Sequence, residues 1–96
     1  MQFEWDPAKA KMNLRKHGMA FRETATVLRD PLGITMLEPD HSDEEDLFIT
    51  LGFSAAGSLL IVAHTERAER IRIISARGVT RAEREAYEQE IQRRQN

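Results

Sequence analysis

Two strand-like segments with a short gap between them constrain the fold most. Residues 58–65 (SLLIVAHT) and 70–77 (RIRIISAR) are rich in Ile, Leu and Val, and the gap of four residues suits a hairpin. The first segment is almost continuously apolar, which predicts a central strand covered on both faces. In the second segment, Ile71 and Ile73 share one face. An antiparallel sheet is therefore the framework into which the rest of the chain has to fit.

Helix signals precede this sheet. The Asp-Pro pair at residues 6–7 is typical of a helix start, because Asp caps free amides and Pro is tolerated at the first helical position. A helix is predicted over residues 8–16, with Ala10 and Leu14 one turn apart as its buried stripe. Gly18 is the expected left-handed cap that ends it.

A second helix is predicted over residues 20–29. Its apolar residues Phe21, Ala25 and Leu28 follow helical spacing, and the Asp-Pro pair at residues 30–31 ends it. The two helices are expected to share one apolar face.

A capping box and further strands complete the pattern. In TRAE at residues 80–83 the Thr hydroxyl and the Glu carboxylate each satisfy a free amide, which predicts a C-terminal helix to about Arg93. Further strands are predicted over residues 3–5, 33–37 and 47–53. We therefore expect an α+β fold in a single domain over residues 1–96, with two N-terminal helices, a mainly antiparallel sheet of four to five strands and a C-terminal helix.

Composition limits the classes of function. The 96 residues are 41% apolar and include no cysteine, so the chain has neither a disulfide framework nor a thiolate metal site. Glu4 and Asp6 fall where a signal peptide has its apolar core, and no apolar run approaches the ~20 residues of a membrane span. The chain also lacks a glycine-rich phosphate loop and a serine elbow. We expect a cytoplasmic protein that needs neither a membrane nor a cofactor.

Charge is distributed unevenly along the chain. Six of the 16 acidic residues lie within residues 38–46, whereas every Lys and Arg lies at or before Arg29 or at or after Arg67. If the two ends meet, the fold has a basic face for an anionic ligand and a separate acidic edge. Possible metal ligands in the acidic stretch are Asp40, His41, Asp43 and Glu44. Their spacing matches neither a calcium loop nor a helical zinc site, so a solvated loop is the preferred interpretation.

Four arginines are candidates for binding phosphate. They are Arg67, Arg72, Arg77 and Arg84. All four fall on or beside the predicted junction between the last strand and the C-terminal helix, and a planar guanidinium suits phosphate oxygens. The alternative is ion pairing with nearby glutamates. Arg81 with Glu85 and Arg84 with Glu88 have the i, i+4 spacing that stabilises an exposed helix.

Such a cluster is compatible with RNA cleavage, because RNA carries its own nucleophile in the 2′-hydroxyl. A protein then only has to orient the phosphate, move protons and stabilise developing charge. Candidates for proton transfer are His17, His64, Tyr87 and Glu83. Three of them also have a structural interpretation: His64 as a buried strand residue, His17 as a helix cap and Tyr87 as a packing residue.

Two segments resemble the signature of the BrnT toxin family. They are WDPAKAKMNLRKHGMAF at residues 5–21 and RIRIISARGVTRAEREAYE at residues 70–88. With the Asp-Pro turn at residues 30–31 and HTER at residues 64–67, the resemblance covers almost the whole chain. It implies a RelE-like ribonuclease fold and a toxin of a bacterial type II toxin-antitoxin module, which cleaves RNA without a metal ion and inhibits translation.

The resemblance also implies partners. A ribbon-helix-helix, BrnA-like antitoxin neutralises such toxins, and operator DNA is bound only through that antitoxin. We therefore expect an RNA substrate and a hetero-oligomer with the antitoxin.

Particular residues are assigned by the same resemblance. The family's recurrent polar residues fall on Lys9, Asn13, Lys16, His17, Arg77, Glu83, Arg84 and Tyr87, with Arg67 in the strand turn. The expected catalytic residues are Arg67, Arg77, Arg84, Tyr87 and His17. The expected RNA-binding residues are Lys9, Lys16, Arg72 and Arg81. The chain departs from the family pattern at Gly78, where relatives often carry a side chain, and at Ala20, where a capping Ser or Asp is expected.

A noncatalytic function is the alternative. The chain would then pair with an antitoxin and modulate its DNA binding, and the acidic stretch at residues 38–46 would mimic a nucleic acid surface or hold a basic antitoxin tail. Deleting that stretch tests the binding-module interpretation directly, because an unchanged antitoxin affinity would remove its main support.

Overall fold

The computed structural model of the chain describes residues 2–38 and 46–95. These residues form three helices and five strands, with two consecutive helices followed by four consecutive strands, which confirms the α+β class. The elements are β1 (Gln2–Glu4), α1 (Pro7–His17), α2 (Phe21–Val27), β2 (Ile34–Leu37), β3 (Leu47–Phe53), β4 (Leu59–Arg67), β5 (Arg70–Gly78) and α3 (Arg81–Gln95). The possible metal ligands of the acidic stretch lie outside the described residues.

The sheet has the strand order β1-β5-β4-β3-β2. Strands β2 to β5 form antiparallel pairs, and only β1 runs parallel to its neighbour β5. The apolar segment predicted to be central is β4, which lies in the middle of the sheet. The mainly antiparallel sheet is therefore confirmed, with the short N-terminal strand as its parallel edge.

One face of the sheet carries the core. Phe21 and Val27 of α2 pack there against Leu60, Val62 and Ile73 of the two central strands, and all five side chains are buried. Burying a side chain of this size contributes about 1.5–3 kcal/mol to stability. This confirms that the helices share an apolar face, since Ala10 of α1 and Ala25 and Leu28 of the second helical segment also pack against the cluster.

The first helix differs from its prediction in the face that it buries. Leu14 is 52% exposed, whereas Asn13 is buried and bonded to the sheet. The helix ends are as expected: Asp6 Oδ1 accepts a hydrogen bond from the amide of Ala8, and Gly18 adopts the left-handed conformation at φ 70°. The apolar spacing of Ala10 and Leu14 was misleading because one hydrogen-bonded Asn sets the orientation of α1.

The second helix is shorter than predicted. It ends at Val27, and Ala20 supplies no side-chain cap, as its residue type implies. The carboxylate of Asp30 instead accepts hydrogen bonds from the amides of Leu32 and Phe53. The chain therefore turns away before the predicted end at residue 29, because Asp30 ties the turn to the end of β3.

The β4–β5 hairpin is tighter than predicted. Its strands extend to Arg67 and from Arg70, which leaves a connection of two residues in place of four, and Ala68 takes the left-handed conformation at φ 51°. The register shifts between Ala63 and His64, so β5 carries one extra residue there. The outer elements differ little from expectation, since β1 lies one residue earlier and α3 reaches Gln95.

Candidate active site

Arg77 lies where the last strand gives way to the C-terminal helix, and Glu83 holds it there. The Nη1 and Nη2 atoms of Arg77 donate to the two carboxylate oxygens of Glu83, each at 2.9 Å. Glu83 also accepts from the amide of Thr80 at 2.8 Å, and Thr80 Oγ1 accepts in return from the amide of Glu83 at 3.2 Å. The predicted capping box is thus formed, and the same carboxylate that starts α3 orients Arg77.

The pair has a strong electrostatic preference for its charged form. The hydrogen bond from Arg77 lowers the pKa of Glu83 to about 2, and the amide of Thr80 adds to this effect. The bond to Glu83 in turn raises the pKa of Arg77. Glu83 is therefore ionised near neutral pH, so it has no proton to donate and is a weak base.

Arg77 retains hydrogen-bonding capacity beyond this pair. Its Nη1 atom donates a second bond to the carbonyl of Gly78 at 3.1 Å, so three of the five N–H groups are used. Within the described residues, the Nε–H and the remaining Nη2–H have no acceptor. These two donors point to the same side of the guanidinium, which is the geometry that binds two phosphate oxygens.

Arg84 follows Glu83 in the first turn of α3 and is exposed. Among residues 2–38 and 46–95 it forms no ion pair, so the predicted pair with Glu88 is wrong there. By contrast, Arg81 bonds Glu85 at 3.3 Å, as its spacing predicts. A Cβ added at Gly78 would meet no atom within 4 Å, so the departure from the family pattern leaves open space beside Arg77.

Asn13 attaches α1 to this end of the sheet. Strand β1 pairs with β5 only as far as Arg72, and beyond that point Asn13 Oδ1 accepts a hydrogen bond from the amide of Ala76 at 3.0 Å. The Nδ2 atom of Asn13 donates to the carbonyl of Met19 at 3.0 Å. Sequence patterns alone missed this contact, although a lone Asn on the sheet-facing side of a helix could have indicated it.

The basic residues predicted on α1 flank this contact. Lys9 lies four residues before Asn13. Lys16 and His17 lie three and four residues after it, so all three are one turn away on the same side of the helix. All three side chains are exposed. Because Asn13 bonds Ala76, this basic stripe reaches the Arg77 end of β5, although the side chains of Ala76 and Arg77 point to opposite faces of the sheet.

Two predicted arginines lie elsewhere. Arg67 pairs in register with Arg70 at the hairpin tip, whereas Arg77 pairs with Ile61 at the other end of β5. Seven steps along a strand span roughly 20 Å, so Arg67 and Arg77 cannot hold one phosphate. Arg72 lies in between and bonds Glu4 at 3.3 Å. The expectation that four arginines share one junction is therefore wrong, because it ignored the length of the strand.

Tyr87 is buried one turn after Arg84. Its ring packs edge-to-face on Phe53 with centroids 5.9 Å apart. Burial, followed by the charge of Asp30, raises the pKa of Tyr87. The phenol therefore stays protonated near neutral pH and is unsuited to act as a base, and its packing holds α3 against the end of β3.

His64 has a structural environment. It is buried on the core face of β4, where its Nε2 lies 2.7 Å from Thr50 Oγ1 and its ring stacks on Phe48. Burial lowers the pKa of His64 to about 4, so the ring is neutral near neutral pH. Of the two candidate histidines, only His17 is exposed beside the basic stripe.

Two further features are absent from the described residues. Over residues 2–38 and 46–95 no cluster of three or more His, Asp or Glu side chains has the arrangement of a metal site. None of the helices in the described part of the chain has the length and apolarity needed to cross a membrane.

The fold and the site together define a small α+β protein with an oriented arginine at a strand-to-helix junction. The chain belongs to the BrnT family, described as the ribonuclease toxin of a type II toxin-antitoxin system, and the family's sequence profile matches residues 5–83. Comparison with curated protein sequences finds no match.

A solved structure has the same fold. The crystal structure of the Brucella abortus ribonuclease toxin BrnT superposes with a TM-score of 0.62 and 21% sequence identity. The match covers 84% of this chain and 99% of the Brucella chain. At 21% identity this likeness shows a shared fold alone.

Proposed function

We propose that the chain is an endoribonuclease toxin that cleaves RNA without a metal ion and thereby inhibits translation. Membership of a family described as ribonuclease toxins supports the activity. The geometry of Arg77 supports an active site at this junction. Glu83 holds Arg77 at the start of α3, and two N–H groups of Arg77 remain for a ligand.

The chemistry follows from RNA itself. The 2′-oxygen attacks the adjacent phosphorus, the bond from phosphorus to the 5′-oxygen breaks, and a 2′,3′-cyclic phosphate and a 5′-hydroxyl result. One proton leaves the 2′-hydroxyl and one reaches the 5′-oxygen. Arg77 and Arg84 neutralise the charge that accumulates on the non-bridging oxygens, which is typically the largest contribution to such catalysis.

Other side chains have supporting roles in this proposal. His17 is the favoured carrier of protons, because it is exposed and lies on the same side of α1 as the contact with Ala76. Lys9 and Lys16 extend the positive surface along the RNA backbone, and Arg81 contributes from α3. Glu83 is a positioning residue, whereas Tyr87 acts through packing.

Partners complete the proposed function. A toxin of a type II module is paired with an antitoxin. We place a ribbon-helix-helix, BrnA-like antitoxin in that role, with operator DNA bound through it and the toxin held in a hetero-oligomer. The test is co-purification with the product of the neighbouring reading frame, and loss of RNA cleavage on addition of that protein.

The activity is tested with the purified chain, refolded free of antitoxin, on single-stranded RNA in excess chelator. Cleavage that persists in chelator and leaves 2′,3′-cyclic phosphate ends is the expected result. Met12→Ala is the matched control for Arg77→Ala, because Met12 is exposed on the outer side of α1. A well-folded protein that cuts no RNA, or that cuts only with added metal, contradicts the proposal.

A noncatalytic binding module is the second candidate. The ion pair between Arg77 and Glu83 favours this function. Glu83 accepts a bond from each Nη atom of Arg77, and such pairs are common in purely structural networks. In that case Arg77→Ala would change antitoxin affinity or stability and no RNA would be cut by the parent protein. Measuring antitoxin affinity and cleavage on the same two proteins distinguishes these functions.

A further inference from the structure

The two edges of the sheet are protected unequally. The β1 edge is three residues long, and Glu4 on it pairs with Arg72 at 3.3 Å. The β2 edge, Ile34–Leu37, carries no charged residue, and Met36 and Leu37 are 54% and 51% exposed on its two faces. Edge strands are usually blunted by charge, proline or shortness. The four residues of β2 include neither a charge nor a proline, so this edge remains a template for another strand.

Hydrogen-bond alternation shows which backbone groups of β2 face outward. The amide of Glu38 donates to the carbonyl of Leu47, and the register makes Met36 with Ile49 the next hydrogen-bonded pair. Thr35 and Leu37 lie between these positions, so their N–H and C=O groups point away from β3. The 2.7 Å contact between Thr35 Oγ1 and Thr50 Oγ1 agrees, since side chains approach most closely at non-hydrogen-bonded pairs.

We propose that β2 pairs antiparallel with β2 of a second copy of this chain. The outward groups of Thr35 and Leu37 are symmetric about Met36. Placing Met36 on a twofold axis therefore sets Thr35 opposite the second copy's Leu37, and the reverse, with four N–H···O bonds. The two sheets then form one continuous sheet of ten strands, twice the five in each copy.

Charge favours this antiparallel, self-complementary arrangement. No charged side chains face each other across the strands, because Ile34–Leu37 is uncharged. The acidic stretch begins at Glu38 directly after β2, and an antiparallel pair puts the two copies of Glu38 at opposite ends. Four residue steps along the strand direction separate them, or about 14 Å, which is beyond the screening length of about 8–10 Å at ordinary salt.

The predicted register is tested with single cysteines, since the chain has none of its own. In Met36→Cys the two Cα atoms face each other at about 4.5 Å, which a disulfide can bridge. Leu37→Cys is the matched control with nearly equal exposure, and there the equivalent Cα atoms are about 9 Å apart, too far for a disulfide.

We expect mild oxidation to convert most of Met36→Cys, and little of Leu37→Cys, into a dimer on a non-reducing gel. Equal cross-linking of both variants would show random collision and overturn the register. An absence of cross-linking in Met36→Cys would overturn the pairing itself.

A second variant removes a single outward donor. Leu37→Pro deletes an N–H that does not bond β3, so the monomer is expected to stay folded, as prolines are tolerated at such edge positions. Sedimentation velocity at rising concentration should show reversible dimers for the parent chain and monomers for Leu37→Pro. A folded Leu37→Pro that dimerises like the parent, or a parent that stays monomeric throughout, contradicts the proposal. Neither outcome depends on RNA cleavage, so the proposed activity is judged separately.

Discussion

The two ends of β5 carry arginines in different settings. At one end Arg77 is held by Glu83, next to the start of α3 and to the α1 contact made by Asn13. At the other end Arg67 and Arg70 lie opposite each other at a hairpin tip. The shallow groove at that tip is lined by Gln2, Arg67, Ala68, Glu69 and Arg70.

The contrast shows that orientation, more than the number of positive charges, distinguishes a candidate active site. A guanidinium fixed by a bidentate partner loses little side-chain freedom when it binds a ligand. At the tip, Arg67 and Arg70 are exposed strand ends on either side of a two-residue turn, which joins two strands and no helix. We therefore expect the Arg77 end to carry catalysis and the tip to contribute at most general attraction for RNA.

Substitutions at the two ends of β5 should differ most in their effect on RNA cleavage. Replacing Arg77 and Arg84 together by alanine should lower the rate of RNA cleavage on the order of 1,000-fold, because both charges that stabilise the transition state are lost. The double variant Arg67→Ala and Arg70→Ala removes the same charge from the tip and should stay within about tenfold of the parent. Equal losses in both variants, measured as cleavage rates on one RNA, would remove the distinction.

The next effect concerns acid stability in the tip half of the sheet. The pKa of His64 is about 4 in the folded protein and 6.5 when exposed, so the unfolded chain binds more protons between these values. Stability is therefore full above pH 6.5 and falls by about 3 kcal/mol as the pH drops towards 4. Denaturant unfolding at several pH values should show this loss for the parent chain.

The pH effect has a matched pair of variants. His64→Gln should remove most of the slope between pH 6.5 and 5, whereas His17→Gln should keep it, because His17 is exposed. Below pH 5 the protonation of Glu83 also lowers stability in every variant. A parent slope that survives in His64→Gln would assign the acid sensitivity to another group. RNA cleavage near neutral pH should respond in the opposite way, with the larger loss in His17→Gln.

A third prediction concerns the junction at the Arg77 end. Asn13→Ala leaves the buried amide of Ala76 without its acceptor, which should cost about 2 kcal/mol of unfolding free energy. Met12→Ala, next to it but 66% exposed, should change stability by less than about 0.5 kcal/mol. If denaturant unfolding gave the two variants the same unfolding free energy, the bond from Asn13 would not be what holds α1 to β5.

A smaller loss of stability is expected when the carboxylate that orients Arg77 is removed. Glu83→Ala loses half of the capping box and the bidentate pair, and should cost about 1 kcal/mol of stability. Glu85→Ala loses only an exposed pair with Arg81 and should cost less than about 0.5 kcal/mol. Cleavage should fall in Glu83→Ala alone, and restored activity in Glu83→Gln would mean that hydrogen bonding without charge is enough to position Arg77.

Much of the fold follows from local patterns in the sequence. The capping box at Thr80 and Glu83 predicted the start of α3, and the apolar run ending near Thr65 predicted the central strand, since both depend on neighbouring residues. The separation of Arg67 from Arg77 was missed although strand length alone implies it. The burial of Asn13 and the exposure of Leu14 depend on a contact across 63 positions of sequence, which helical spacing does not encode.

For the candidate site, the sequence indicated most of the residues but not which of them lie close together. The bond between Arg77 and Glu83 arises because the short connection from Gly78 to Arg81 sets the capping carboxylate beside the end of β5. Tyr87 was a proton-transfer candidate by spacing, yet the same helical turn places it against Phe53.

The most direct test of the central claim is to locate RNA on the protein. An oligonucleotide with 2′-deoxy sugars lacks the nucleophile, so it binds without being cut and can be followed by amide NMR. We expect saturable shifts at Arg77, Gly78 and Thr80 and at the end of α1, with small changes at the hairpin tip. Shifts that centre on Ala68 and Glu69 and leave Arg77 unmoved would contradict it.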